Sequence, residues 1–174
     1  MRRAKGEGRL SAVATRYVAA VELIDVDSLS AAGVRLVLLD RDNTCVPRDT
    51  KRPPAAVLAW LEAVRAAGIK TYIVSNNFHT DQVSASAAEL GCDFVDHAMK
   101  PAPFALERAM EAAGEGPEHT VMVGDQVFTD VVAGNLAGVR TILVRPQCRR
   151  DLWYTYIFRA FERLALLGKK FEGE

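Results

Sequence analysis

Cysteine is scarce in this chain: Cys45, Cys92 and Cys148 are the three present, and none lies in a CxxC pair or at a Cys/His ligand spacing. A disulfide framework and a thiolate zinc site are therefore not expected, and a reduced, cytosolic compartment fits best. No run free of charge approaches the length needed to cross a bilayer, so any membrane contact would be peripheral. Net charge of either sign is also missing, since 22 Lys and Arg offset 22 Asp and Glu, which argues against a generic nucleic-acid binder. The basic start carries no apolar stretch of signal-peptide type, because Arg16 and Glu22 interrupt it. Internal repeats and low-complexity linkers are lacking as well.

What is present is a regular alternation of short apolar runs and amphipathic segments. The patterning predicts strands over 34–39, 69–74, 92–95, 119–123 and 140–144. Helices are expected after Pro53-Pro54, over 81–90, over 104–113 and over 127–137, with Gly68, Gly91, Gly114 and Gly138 as their stops. Such alternation implies an α/β fold, a three-layer, Rossmann-like parallel sheet of five strands with helices on both faces. Residues 1–174 read as a single domain. Its core spans about 33–145, preceded by a helical extension over 1–32 and followed by an amphipathic helix over 151–168.

The most informative stretch is Asp40-Arg41-Asp42-Asn43-Thr44, directly after the first core strand. Two carboxylates at the carboxyl end of a strand stand where open α/β folds place their ligands. Close anionic side chains are costly without a cation or a shared proton. The pair reads as a metal site, as a nucleophile with its acid/base partner, or as a solvated loop. Three further polar clusters end the following strands: Ser75-Asn76-Asn77, Lys100-Pro101, and Gly124-Asp125 with Asp130. In a parallel sheet all four share one edge. Two carboxylate pairs, a lysine and small polar donors suit a divalent cation bound through oxygen, together with a phosphoryl group.

The order DxDNT, SNN, KP and GDxxxxD resembles the four motifs of the haloacid dehalogenase superfamily of phosphohydrolases. The resemblance covers roughly 34–144. It implies that Asp40 is a nucleophile forming an aspartyl-phosphate, that Asp42 is the general acid and then base, and that Lys100 neutralises charge on Asp40 and the phosphate. It further implies that Ser75 and the Asn76 amide bind the phosphoryl group, with Thr44 bracing the loop as part of the substrate-binding set. Asp40, Asp125 and the Asp42 carbonyl would hold Mg²⁺, with Asp130 and Asn77 in support. Arg41 and Cys45 depart from the expected pattern and replace no catalytic group.

The spacing between motifs leaves no room for a cap domain, so an open site and a large or surface-borne substrate are expected. In detail the motifs are similar to subclass IIIA, within it to the YqeG-type group and the related phosphatidylglycerophosphate phosphatases. The implied activity is dephosphorylation of phosphatidylglycerophosphate to phosphatidylglycerol. A soluble nucleotide, sugar phosphate or phosphoprotein substrate is the alternative, and a non-catalytic phosphate- or partner-binding module is the third reading. The aromatic and basic stretch from Asp151 to Lys170 reads as a helix that docks on its own domain, on anionic lipid, or on a second copy in a homodimer.

Overall fold

The computed structural model describes residues 8–77, 79–95, 97–148, 166 and 168–174. Six strands form one sheet: β1 (Arg16–Val18), β2 (Leu36–Leu39), β3 (Lys70–Val74), β4 (Asp93–Val95), β5 (Thr120–Gly124) and β6 (Arg140–Val144). Their order is β1-β6-β5-β2-β3-β4, and every pairing is parallel. Five helices connect them: α1 (Val26–Ala31), α2 (Ala55–Ala66), α3 (Thr80–Leu90), α4 (Phe104–Ala113) and α5 (Val132–Leu136).

The alternation of side chains along β2 explains both layers. Val37 and Leu39 face α2 and α3 through Trp60, Leu61, Val64, Val83, Ala87 and Leu90. Leu36 and Leu38 face the opposite layer, which contains Leu106, Ala109 and Met110 of α4 and Ala133 of α5. Successive residues of a strand point to opposite faces, so a strand covered on both sides must be apolar throughout. All four β2 residues are indeed buried. β2 also pairs with β3 on one side and β5 on the other, so the chain order reverses at its edge. That reversal opens the crevice in which doubly wound sheets bind ligands.

The sheet has one strand more than the five expected. Within the stretch read as a helical extension, Arg16–Val18 pairs with β6 as an edge strand, followed by a 3-10 turn at Val21–Leu23 and by α1. Three residues with only Val18 fully buried carry no periodic signal, and the tail supplies the missing pairing. Glu172 N donates to the Tyr17 carbonyl at 2.9 Å, Ala19 N donates to the Glu172 carbonyl at 2.8 Å, and Phe171 meets the Tyr17 ring edge-on. The helix expected over 151–168 lies, apart from Leu166 and Gly168, outside the described residues. A second difference falls at 127–137, where a π-turn at Val127–Val131 precedes the α-helical turn of α5. Single π-turns concentrate at functional sites because they re-aim one side chain.

Gly134 tests how closely α5 lies on the sheet. A β-carbon there would collide with the Thr141 methyl and come within 3.2 Å of the Met122 side chain. Helix propensity alone favours alanine over glycine by about 1 kcal/mol. Overpacking against β-branched strand residues costs about 1–3 kcal/mol. Gly134→Ala is therefore expected to lower stability in urea unfolding, against its propensity.

Candidate active site

The four polar clusters converge as their places on the sheet require. Asp40 follows β2, Ser75 follows β3, Lys100 lies in the loop between β4 and α4, and Asp125 follows β5. Lys100 is the central contact. Its ammonium lies 2.7 Å from Asp40 Oδ1 and 2.7 Å from Asp130 Oδ1, and it donates to the Val74 carbonyl at 2.7 Å. An ammonium has three donors, and three acceptors surround this one. Its backbone is held too: Lys100 N donates to Asn76 Oδ1 at 2.8 Å, while Asn76 Nδ2 donates to the Lys100 carbonyl at 3.0 Å. Asn76 thus grips the lysine with its side chain, a contact beyond the amide role expected for it.

The loop after β2 folds back on itself. Cys45 N and Val46 N both donate to the Arg41 carbonyl, and Asn43 N donates to the Val46 carbonyl at 2.8 Å. Asn43 takes the left-handed conformation, φ 64°, that asparagine tolerates better than most residues. Its carbonyl accepts from Gln147 N, and its side-chain oxygen accepts from Arg48 N and the Cys148 thiol. Asn43 is therefore the lock of the loop, a role unassigned from the sequence. Thr44 is fully buried and its hydroxyl donates to Asp125 Oδ1 at 3.3 Å. Thr44 thus braces Asp125 from a buried position. Ser75 Oγ accepts from Asn77 N at 3.1 Å, which shapes the second loop, and Asn77 Oδ1 accepts from His79 N.

Burial governs the electrostatics. The Lys100 pKa is set by opposing effects: desolvation pulls it down, but the charges of Asp130 and Asp40 prevail and raise it. Burial pushes the Asp130 carboxyl up to about 6, with Lys100 opposing and Asp40 reinforcing the rise. The Asp42 carboxyl is raised as well, first by burial and then by Asp40, while Arg48 and Arg41 pull it back. Burial also lifts the Cys45 thiol well above its ordinary value, so this cysteine is a passive packer and no nucleophile.

Carboxylate oxygens of Asp40, Asp125 and Asp130 lie within 4.8 Å of one another, and all three residues are buried. Three carboxylates clustered beside the Lys100 ammonium form an anionic, all-oxygen site of the kind a divalent cation suits. The donor set is all oxygen and fits a hard cation. Both Asp130 oxygens are engaged, Oδ1 by Lys100 and Oδ2 by Gln126 N at 3.1 Å. The Asp42 side chain is paired with Arg41 at 2.7 Å. Only the main-chain carbonyl of Asp42 was expected to serve a metal.

Comparison with known proteins agrees with this geometry. Residues 11–138 match the family model of the haloacid dehalogenase-like hydrolases. The chain is 35% identical over 150 residues to a Bacillus subtilis (strain 168) protein named "Probable phosphatase YqeG", covering 86% of this chain and 87% of that one. It is 29% identical over 157 residues to phosphatidylglycerophosphate phosphatase 1, chloroplastic/mitochondrial, of Arabidopsis thaliana. That match covers 82% of this chain but 43% of the plant protein, so the chain spans less than half of the latter's length. Among solved structures, the cobalt-bound deoxy-D-mannose-octulosonate 8-phosphate phosphatase of Haemophilus influenzae shares the fold. Its TM-score is 0.53 at 17% identity, over 78% of this chain and 89% of that one.

Two predictions follow from the geometry of Asp130. A β-carbon at Gly124 would fall on the Asp130 carboxylate. Gly124→Ala should therefore dislodge Asp130 from Lys100 and lower phosphatase turnover by at least about tenfold, or about 1.4 kcal/mol in the barrier, with the fold retained by circular dichroism. In chelator, the raised Asp130 carboxyl means that the folded state holds this proton more tightly than the unfolded chain. The contribution of Asp130 to stability should accordingly fall as pH climbs from about 4 to about 6. The urea midpoint of Asp130→Asn relative to wild type should be higher at about pH 7.5 than at about pH 4.5. A midpoint difference that does not change with pH would contradict the raised carboxyl.

Proposed function

The chain belongs to the haloacid dehalogenase-like hydrolases, as a phosphatase of that family, and on that premise we propose that it hydrolyses phosphatidylglycerophosphate to phosphatidylglycerol through an aspartyl-phosphate on Asp40, with Mg²⁺ as cofactor. The observation that carries the mechanism is the Lys100 ammonium between Asp40 and Asp130. It fixes the Asp40 carboxylate in one orientation and meets charge that develops on the transferring phosphoryl group. Asp40 attacks phosphorus and the ester bond to the leaving alkoxide breaks. Asp42 gives its proton to that alkoxide, and burial has already raised its carboxyl toward the protonated form. The Asp42 carboxylate then takes a proton from water, which attacks phosphorus, releases inorganic phosphate and restores Asp40. Ser75 and the Asn76 amide would receive the phosphoryl oxygens, with Asn77 and Asp130 in support. When bound at Asp40, Asp125 and the Asp42 carbonyl, Mg²⁺ would supply countercharge to the phosphoryl oxygens.

Support for a lipid phosphate comes from three sides. Relatives named phosphatidylglycerophosphate phosphatase match most of this chain. Among the described residues, α2 lies between β2 and β3 and α3 between β3 and β4, with no further element in either connection. Met99 and Phe104, exposed by 69% and 68%, flank the Lys100 loop and offer apolar side chains to an interface beside the site. No helix among the described residues is long and apolar enough to cross a membrane. The contact proposed is therefore peripheral.

Turnover of phosphatidylglycerophosphate in mixed micelles, compared with soluble nucleotide, sugar and protein phosphomonoesters, tests the substrate. Its kcat/KM should exceed that of every soluble ester by at least about tenfold, ~1.4 kcal/mol of discrimination. A soluble ester turned over as well or better would contradict the proposal. Chelation should abolish phosphate release from all of them, and added Mg²⁺ should restore it.

A further inference from the structure

Arg41 stands between the two aspartates and is itself buried, at 8% exposure. A guanidinium carries its charge at any working pH, so burying one is costly unless its donors are directed to partners. Here they are. Arg41 Nε donates to Ser86 Oγ at 2.9 Å, and Nη1 donates to Asp42 Oδ1 at 2.7 Å. Ser86 lies on the buried face of α3, the helix that follows the Ser75 loop. The Arg41 carbonyl meanwhile accepts from Cys45 N and Val46 N, which fixes its backbone in the same loop. The side chain therefore has a rigid base, a helix-borne anchor and a single carboxylate at its tip.

From this geometry we infer that Arg41 is a positioning residue, held by Ser86, which fixes the Asp42 carboxylate so that Oδ2 carries the proton exchanged with the leaving group and with water. The inference rests on the proposed acid and base role of Asp42. With Oδ1 taken by Arg41, Oδ2 is the oxygen left for that exchange. Lysine would keep the charge but not the planar fork that serves Ser86 and Asp42 together.

Leaving-group dependence separates this role from a structural one. An alkyl phosphate expels a poor leaving group that needs a proton, whereas nitrophenolate leaves without one. The readout is kcat/KM, which covers the steps up to departure of the leaving group, because the later water step is common to both esters. Arg41→Met should lower kcat/KM on an alkyl phosphate by about a hundredfold and on nitrophenyl phosphate by less than about threefold, and Arg41→Lys should recover part of the alkyl activity. Asp42→Asn, measured alongside, should show the same divergence between substrates. Equal losses on both esters, or none on either, while Asp42→Asn still diverges would overturn the role of Arg41 alone. If Asp42→Asn shows no divergence, the acid and base reading itself fails. Should Arg41→Met not fold, Ser86→Ala decides the matter: a smaller divergence of the same sign is expected, and its absence would overturn the inference.

Discussion

One ammonium group organises this molecule's chemistry. Lys100 brings Asp40 from the end of β2 and Asp130 from the π-turn after β5 to one point, and its third donor returns to the sheet at the Val74 carbonyl. Two buried carboxylates so close together would repel each other without it. Much of the surrounding structure serves to hold that group in place. Asn76 clamps the lysine backbone through both its N–H and its carbonyl, and Asp130 is buried within the π-turn.

The remaining charge explains why the site is suited to a cation as well as to phosphate. Asp125, whose Oδ1 accepts from the buried Thr44 hydroxyl, adds a third carboxylate beside Asp40 and Asp130. Asp42 is paired with Arg41 at 2.7 Å, whereas the clustered carboxylates are those of Asp40, Asp125 and Asp130. The same short loop thus holds a carboxylate paired with lysine and a carboxylate paired with arginine. Among the described residues, α2 lies between β2 and β3 and α3 between β3 and β4.

Most of the fold was legible in the chain because its signals are local. Apolar runs marked β2, β3, β5 and β6. The periodic faces of α2 and α4, with Gly91 and Gly114 in the left-handed conformation at the ends of α3 and α4, marked the helices. The candidate site residues were legible because a parallel sheet places every strand's carboxyl end on one edge. What escaped depends on long-range contacts. β1 exists through its pairing with β6 and with Glu172, more than 150 residues away in sequence. The π-turn has the same apolar periodicity as an α-helix, so only the demand on Asp130 distinguishes it. Arg41 read as a departure from pattern, since nothing in the sequence relates it to Ser86 across 45 residues. Asn43 was given no role from the sequence, because its contacts with Gln147 and Cys148 are more than 100 residues away.

In the proposed mechanism the phosphoryl group passes through Asp40, oriented by Lys100. An acyl phosphate is reducible, so enzyme quenched during turnover and treated with borohydride converts the phosphorylated aspartate to homoserine. Peptide mass spectrometry should find homoserine at position 40 when substrate and Mg²⁺ are both present, and aspartate there when either is withheld. Phosphate release with unmodified Asp40 throughout, or reduction at another aspartate, would contradict the account.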